Sequence, residues 1–376
     1  MAVTYALYYG VTVVACLFAW LAERGRDEFF TLWKWKIGKA ALYLTMAAVP
    51  LVLLSGLRWE TGIDHQNYFW LFTNIYYNLA NHAEIGFYLL CQFILYFTQD
   101  MAVLFFFCAL ITVLFMMLAI RKSSGNYFIS VFLYLTMGFF FYSMNSMRHF
   151  IALAIYLYAY QFLKQRRFWP YLGWVILAAS FHKIALIAIP IYFVLNIKFK
   201  PYWYAIFAGG LIGVAIFHRQ ILDLIYSFVF GFYADKEAQY VSVSYVNILI
   251  TLALSVLVFL YRKKLLERNP RNIILMNASW LGLIFFATCS WIPQYTRLGQ
   301  YLTILALFLV PEIFACEERP KIRRLYWIGM IAGFLLFLGV IIWNAQAPNI
   351  ALAPYHSVLQ REFYDDKLSA FWFLPG

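Results

Sequence analysis

SMNSMRHFIALAIYLYAYQFLKQRRFWPYLGWVILAASFHKIALIAIPIYFVLN, residues 143–196, is the stretch on which the fold turns. Two short basic-polar insertions, Arg148-His149 and His182-Lys183, interrupt otherwise apolar sequence. Between them lies a separate charge cluster, Lys164 to Arg167. An apolar run of membrane-crossing length separates that cluster from either insertion. The cluster reads as a cytoplasmic anchor, which sends both insertions to the opposite face. Cations inside membrane sequence are expensive and mark function.

The rest of the chain agrees with a membrane reading. Hydrophobic residues make up 64% of the 376 and charged residues 12%, whereas a water-soluble protein carries about 25% charged residues. A water-facing globule is excluded, and a polytopic membrane protein is implied. It is all-α, because the apolar runs are continuous and long where barrel strands would alternate. Aromatic residues reach 21%, most of them explained by interfacial belts. The net charge of +12 is no nucleic-acid signal, since the cations fall in short clusters between apolar spans. The five cysteines sit in or at the ends of apolar segments without CxxC or metal spacing and read as packing residues. The first apolar run lacks a basic n-region and leads into a charged loop, so a span is expected there and not a cleavable leader.

Twelve spans are expected, near 5–22, 39–57, 100–120, 127–143, 149–163, 168–181, 183–197, 201–218, 243–261, 272–292, 298–316 and 325–344. The run 168–197 is split by Pro170 and His182-Lys183 into two half-helices meeting at His182. Loops 23–39, 121–126, 164–167, 198–200, 262–271 and 319–324 carry 21 of the 29 Lys and Arg, which assigns them to the cytoplasm. Segment 85–98 is apolar, but counting it as a span would put Arg121-Lys122 outside. It reads as a short outer-leaflet or re-entrant helix. All six histidines then fall at or near the outer face, and the cytoplasmic loops hold no Gly-rich phosphate cradle. The expectation is one transmembrane domain over 1–376, with outer segments 58–99, 219–242 and 345–376 covering a cavity.

Candidate chemistry lies on that outer side. Arg148 and Arg297 each stand at the outer end of a span, against the charge rule the other loops obey. Snorkelling to headgroups is the plain alternative. Arginine's planar fork suits phosphate or pyrophosphate. His182-Lys183 marks a helix break at membrane depth, tolerated where it lines a cavity, and His182 suits a general base. Arg58, Asp64 and Glu84 share the first outer segment among aromatics, with Gly62 permitting a turn, and either acid suits a base for sugar hydroxyls. Tyr301 lies one helical turn beyond Arg297. No HExxH, DxD or clustered His/Asp set argues for a metal, and no metal or cofactor is expected.

These residues, in this order, resemble the EpsG-type branch of Wzy-like polysaccharide polymerases. The resemblance rests on GLRWETGIDHQNY (Arg58, Gly62, Asp64, Tyr68), the Glu84–Gly86 pair, MRHFIALAIYLYA (Arg148, Ala152) and ASFHK at His182. Arg297 with Tyr301 and the late Pro354-Tyr355 complete it. One departure is Asp64-His65, where the family has Asp-Tyr, with the tyrosine delayed to Tyr68. The resemblance implies a GT-C-like helical fold in the bacterial inner membrane, multi-pass, with its site facing the periplasm or exterior. It implies undecaprenyl-pyrophosphate-linked oligosaccharide units as substrates, polymerised without metal or nucleotide sugar. A chain-length regulator and a flippase are the partners it suggests. His182, then Asp64 or Glu84, are the candidate bases. Arg148, Arg297 and Arg58 are the candidate pyrophosphate ligands, and Tyr301, Lys183, His149 and Tyr355 the substrate contacts. A lipid-linked oligosaccharide transporter and an integral-membrane acyltransferase are the competing readings. The former should show internal repeats and the latter a cytoplasmic entry for an acyl donor.

Overall fold

The computed structural model describes residues 2–32, 35–79, 81–198, 243–290, 294–344 and 352–360, with isolated positions at 202–217 and 292. The expected outer segment 219–242, most of 345–376 and most of the span 201–218 lie outside the described residues. Among these, the regular elements are helical apart from one β-hairpin. The chain divides into two compact units. The first comprises Met1–Gln161, Trp169–Ala185 and Arg319–Gly376, the second Phe162–Phe168 and Leu186–Glu318.

The first unit begins with α1 (Ala2–Arg24), the hairpin β1 (Phe29–Leu32) and β2 (Trp35–Gly38), and α2 (Lys39–Gly56). There follow α3 (Asp64–Tyr76), α4 (Ile85–Phe97), α5 (Met101–Ser123), α6 (Tyr127–Thr136), α7 (Phe139–Ser143), α8 (Met147–Lys164) and α9 (Phe168–Phe181). α1 packs on α2 and α6, and α2 packs on α5. Ala15, Ala19 and Ala22 of α1 and Ala40 and Ala47 of α2 are buried, small residues of the kind that let membrane helices approach closely. α8 is buried on nearly all sides, as a helix apolar around its whole circumference must be. α5 is started by Asp100, whose carboxylate accepts the Ala102 N–H at 2.9 Å, and ends on Arg121 and Lys122, cations that suit a helix C-terminus.

Among the described residues, seven helical stretches are long and apolar enough to cross a membrane: Ala2–Arg24, Lys39–Gly56, Met101–Ser123, Tyr245–Arg268, Pro270–Thr288, Tyr295–Cys316 and Pro320–Asn344. α4 has 13 residues, about 20 Å at 1.5 Å per residue, too short for a ~30 Å hydrocarbon layer. That length is in keeping with the short outer-leaflet or re-entrant helix expected for segment 85–98. The run 127–143 is not one helix but α6 and α7. Pro170 does not interrupt α9: it sits in the first turn, where no intrahelical N–H is required. The break at His182 is present. α9 ends at Phe181, His182 donates its N–H to the Ala178 carbonyl at 3.1 Å, and a 3₁₀ turn over Lys183–Ile187 follows.

The basic loops of this unit gather together. Arg26 pairs with Glu23 at 2.7 Å, donates to the Ser124 carbonyl at 3.3 Å and lies over the Tyr127 ring. Glu23 also accepts the Tyr127 N–H at 2.7 Å. This ties loop 23–39 to loop 121–126, as their shared assignment to one membrane face requires. At the other end, Gly62 turns the chain with φ +95° and the Asp64 N–H reaches Asn145 Oδ1 at 3.0 Å.

The second unit contains α10 (Ala188–Leu195), α11 (Tyr245–Arg268), α12 (Ile273–Thr288), α13 (Tyr295–Thr303) and α14 (Ala306–Cys316). α11 and α12 form a hairpin through a 3₁₀ turn over Pro270–Asn272. Buried Asn277 of α12 donates to the carbonyls of Leu195 and Ile197 at 3.0 and 2.8 Å, satisfying the C-terminal end of α10. Arg268 pairs with Glu312 at 3.1 Å, and Tyr261 donates to Glu317. In the first unit, α15 (Pro320–Asn344) packs on α6.

Candidate active site

Glu84 is the hub of the site. It lies just before α4 in extended backbone, with its side chain 16% exposed. Arg148, in the first turn of α8, donates from Nη1 to Glu84 Oε2 at 2.6 Å. His182 Nδ1 lies 3.3 Å from Oε1, and the Lys183 backbone N–H donates to the same oxygen at 3.3 Å. Three sequence segments are thus joined by one carboxylate.

Gly86 makes the meeting possible. A Cβ there would lie 2.3 Å from Ser180 Oγ and 2.9 Å from the Ser180 carbonyl oxygen. Only glycine lets the first turn of α4 rest against the end of α9, two residues from His182.

The surroundings are aromatic. The Arg148 guanidinium stands 5.9 and 5.6 Å from the ring centroids of Tyr68 and Phe87. The Tyr68 hydroxyl accepts the Arg148 backbone N–H at 3.3 Å. His149 is buried, its ring edge-on to that of His182 at 5.5 Å. Asp64 flanks the first turn of α8 from the other side: Asn67 donates to its Oδ1 at 3.2 Å, and Ser146 Oγ lies 3.5 Å from Oδ2.

The electrostatics divide the labour. Burial pushes the Glu84 carboxyl up, but the hydrogen bond from His182 and the charge of Arg148 outweigh it and hold the group at about 2. Glu84 is therefore ionised at neutral pH and a weak proton acceptor. A carboxylate on Nδ1 selects the His182 tautomer with its lone pair on Nε2, the form a general base needs.

Arg58 and Tyr355 form a second group. Arg58 is 1% exposed and donates to the Ser55 carbonyl, and at 3.3 Å to Ser55 Oγ. Its Cζ lies 4.6 Å above the Phe105 ring. Its Nε and Nη2 meet no acceptor among the described residues. Residues 355–358 close over it: the Trp59 N–H bonds the His356 carbonyl at 2.9 Å, the Val358 N–H that of Leu57 at 2.8 Å, and the Tyr355 hydroxyl that of Leu54 at 2.9 Å. Burial holds Arg58 down to about 10. His65, where the resembling family has tyrosine, stacks on Phe105 at 4.8 Å and meets Trp59 edge-on at 5.0 Å. Burial, then Arg58, push it down to about 3, so it is neutral.

Arg297 and Tyr301 belong to the second unit, on α13. Arg297 is partly exposed and donates to Gln294 Oε1 at 3.0 Å, whereas Tyr301 is fully buried. Among the described residues no group of three His, Cys, Asp or Glu side chains is arranged to hold a metal.

In the sequence Tyr68 stands out as the tyrosine displaced within the family motif, whereas Phe87, Asn145 and Ser146 carry no mark of chemistry. Tyr68 also lies one helical turn after Asp64. Asn145 and Ser146 have only the weaker signal of preceding a helix start.

No curated protein and no solved structure matches the chain. A family model described as the EpsG family matches residues 41–357, a span that includes Glu84, Arg148 and His182. The chain therefore belongs to the EpsG family, the EpsG/Wzy-like polysaccharide polymerases.

Proposed function

We propose that this polymerase joins undecaprenyl-pyrophosphate-linked oligosaccharide repeat units on the outer face of the bacterial cytoplasmic membrane, by metal-independent glycosyl transfer. In this reading about twelve spans form a single GT-C-like domain. The observation that carries it is the Glu84-centred meeting of Arg148 and His182: a cation for a leaving pyrophosphate beside a base for an acceptor hydroxyl.

The step is a direct displacement. An acceptor hydroxyl oxygen attacks the donor's anomeric carbon, and its proton passes to His182 Nε2. The bond from the anomeric carbon to the pyrophosphate oxygen breaks, and the electron pair leaves with the pyrophosphate. Arg148 balances that developing charge, the kind of electrostatic stabilisation that dominates many enzymes. Arg297 is the second cation of the outer side in this reading. Asp64, polar and partly exposed beside the first turn of α8, faces acceptor hydroxyls. His149 and Lys183 flank the base.

The test is reconstitution. Wild-type protein in liposomes with the lipid-linked repeat unit, EDTA and no nucleotide sugar is expected to yield a polymer ladder on a gel. Arg148→Ala, folded by size-exclusion chromatography, is expected to yield none. Absence of a ladder from folded wild type with its own repeat unit overturns polymerisation and points to transport, read by movement of the same lipid across the bilayer.

A further inference from the structure

Glu84 serves two partners at once, with a different oxygen for each. Oε2 is held by Arg148 at 2.6 Å, and Oε1 by the His182–Lys183 turn at 3.3 Å. The three side chains are graded in exposure: Arg148 28%, Glu84 16%, His182 12%. An anion arriving from outside meets Arg148 first, then the carboxylate, and the imidazole last. A pyrophosphate carries more charge than a carboxylate and offers several oxygens to the guanidinium fork, so it competes well for that cation.

Resting on the reading above, we propose that Glu84 is a positioning residue that couples donor binding to the base: the donor's pyrophosphate takes Arg148 from it, and the freed carboxylate turns wholly to His182. With Arg148 paired to Oε2, the carboxylate's hold on Nδ1 is the weaker of the two, 3.3 Å against 2.6 Å for the arginine contact. With Arg148 drawn to the pyrophosphate, Glu84 has one cationic partner left to stabilise, the imidazolium that forms as the hydroxyl loses its proton. The base is thereby strengthened when a donor is in place. Among the described residues, the other charged or titratable groups near this assembly are His149 on α8, Lys183 on the turn, Tyr68 on α3, Cys91 on α4 and, through Ser146, Asp64.

The arrangement predicts opposite movements of two constants. Glu84→Gln removes Arg148's competitor, so binding of a glycan-free polyprenyl pyrophosphate in detergent is expected to be unchanged or tighter. The same variant loses the group that orients His182, so kcat with the lipid-linked repeat unit is expected to fall about 100-fold. The acidic limb of kcat against pH, set by His182 in the donor complex, is expected to move to lower pH. A merely structural role would weaken binding and lower the folded yield together. Wild-type kcat in Glu84→Gln, or weaker pyrophosphate binding, overturns the inference. If Glu84→Gln does not fold, Glu84→Asp is read the same way, with kcat reduced and binding kept. The underlying reading fails separately, when Arg148→Ala binds the pyrophosphate lipid as wild type does.

Discussion

Replacing Gly86 by alanine probes the contact that brings Glu84 to His182. The new Cβ would lie 2.9 Å from the Ser180 carbonyl oxygen and 2.3 Å from its Oγ. Ordinary contacts begin near 3.5 Å, so the first turn of α4 must retreat by about 0.5 Å even if the hydroxyl rotates away. Rotation breaks the bond from Ser180 Oγ to the Leu177 carbonyl at 2.7 Å. The same retreat carries Glu84 Oε1 from 3.3 Å to about 3.8 Å from His182 Nδ1, beyond hydrogen-bond reach. A lost hydrogen bond to a charged group costs about 1.5–3 kcal/mol, which corresponds to a rate loss of about 10- to 100-fold if it falls on the chemical step. The assay is the initial rate of polymer formation in liposomes at saturating lipid-linked repeat unit, normalised to folded protein. Gly173→Ala is the control, on α9 with nothing within 4 Å of the added methyl, and is expected to keep wild-type rate. Ser180→Ala added to Gly86→Ala removes the 2.3 Å overlap and leaves the carbonyl one, so partial recovery is expected. A Gly86→Ala protein polymerising at wild-type rate refutes the reasoning.

Three further outcomes rest on burial and pairing. His65 has its folded pKa depressed to about 3 from 6.5, so the unfolded chain binds the extra proton between those values and stability falls as pH drops through that window. The slope is about 1.4 kcal/mol per pH unit for one proton. His65→Phe, keeping an aromatic ring between Trp59 and Phe105, is expected to flatten the decline of Tm between pH 6.5 and 4.5, leaving the smaller same-direction contribution of His356. Glu84, whose folded pKa lies below its ordinary value, acts lower: its contribution is present above pH 4.5 and lost as pH falls towards 2. Asn277→Ala leaves the carbonyls of Leu195 and Ile197 without their donor, a loss of roughly 2 kcal/mol read as a lowered unfolding midpoint in detergent.

Some of the site is legible in the sequence alone. Arg148 and His182 announced themselves because a cation or imidazole amid apolar residues has no inexpensive place to go. The structure brings these two together, with Lys183 and His149 beside them. Glu84 was legible as a polar residue in an aromatic segment, but not as the carboxylate that joins them. Nor was Gly86 legible as a close approach, because its neighbour Ser180 is far along the chain. Arg58 looked like a third outer cation, yet it is buried beneath residues 355–358, a closure set by strand-like pairing with Leu57 and Trp59. Arg297 and Tyr301 share a helix but differ in exposure, which their spacing alone did not reveal.

By itself, then, the sequence determined that this is a helical membrane protein, which loops are basic, where α9 breaks, and which two insertions carry charge into apolar surroundings. Those properties are local sums: transfer energies over windows of about 20 residues, and counts of Lys and Arg beside them. Tertiary structure alone decided what each charge touches. The Arg148–Glu84 contact spans 64 residues of sequence and the Lys183–Glu84 contact 99. Pairing at that separation is set by how closely α4, α8 and α9 pack, down to the absence of one methyl group at Gly86.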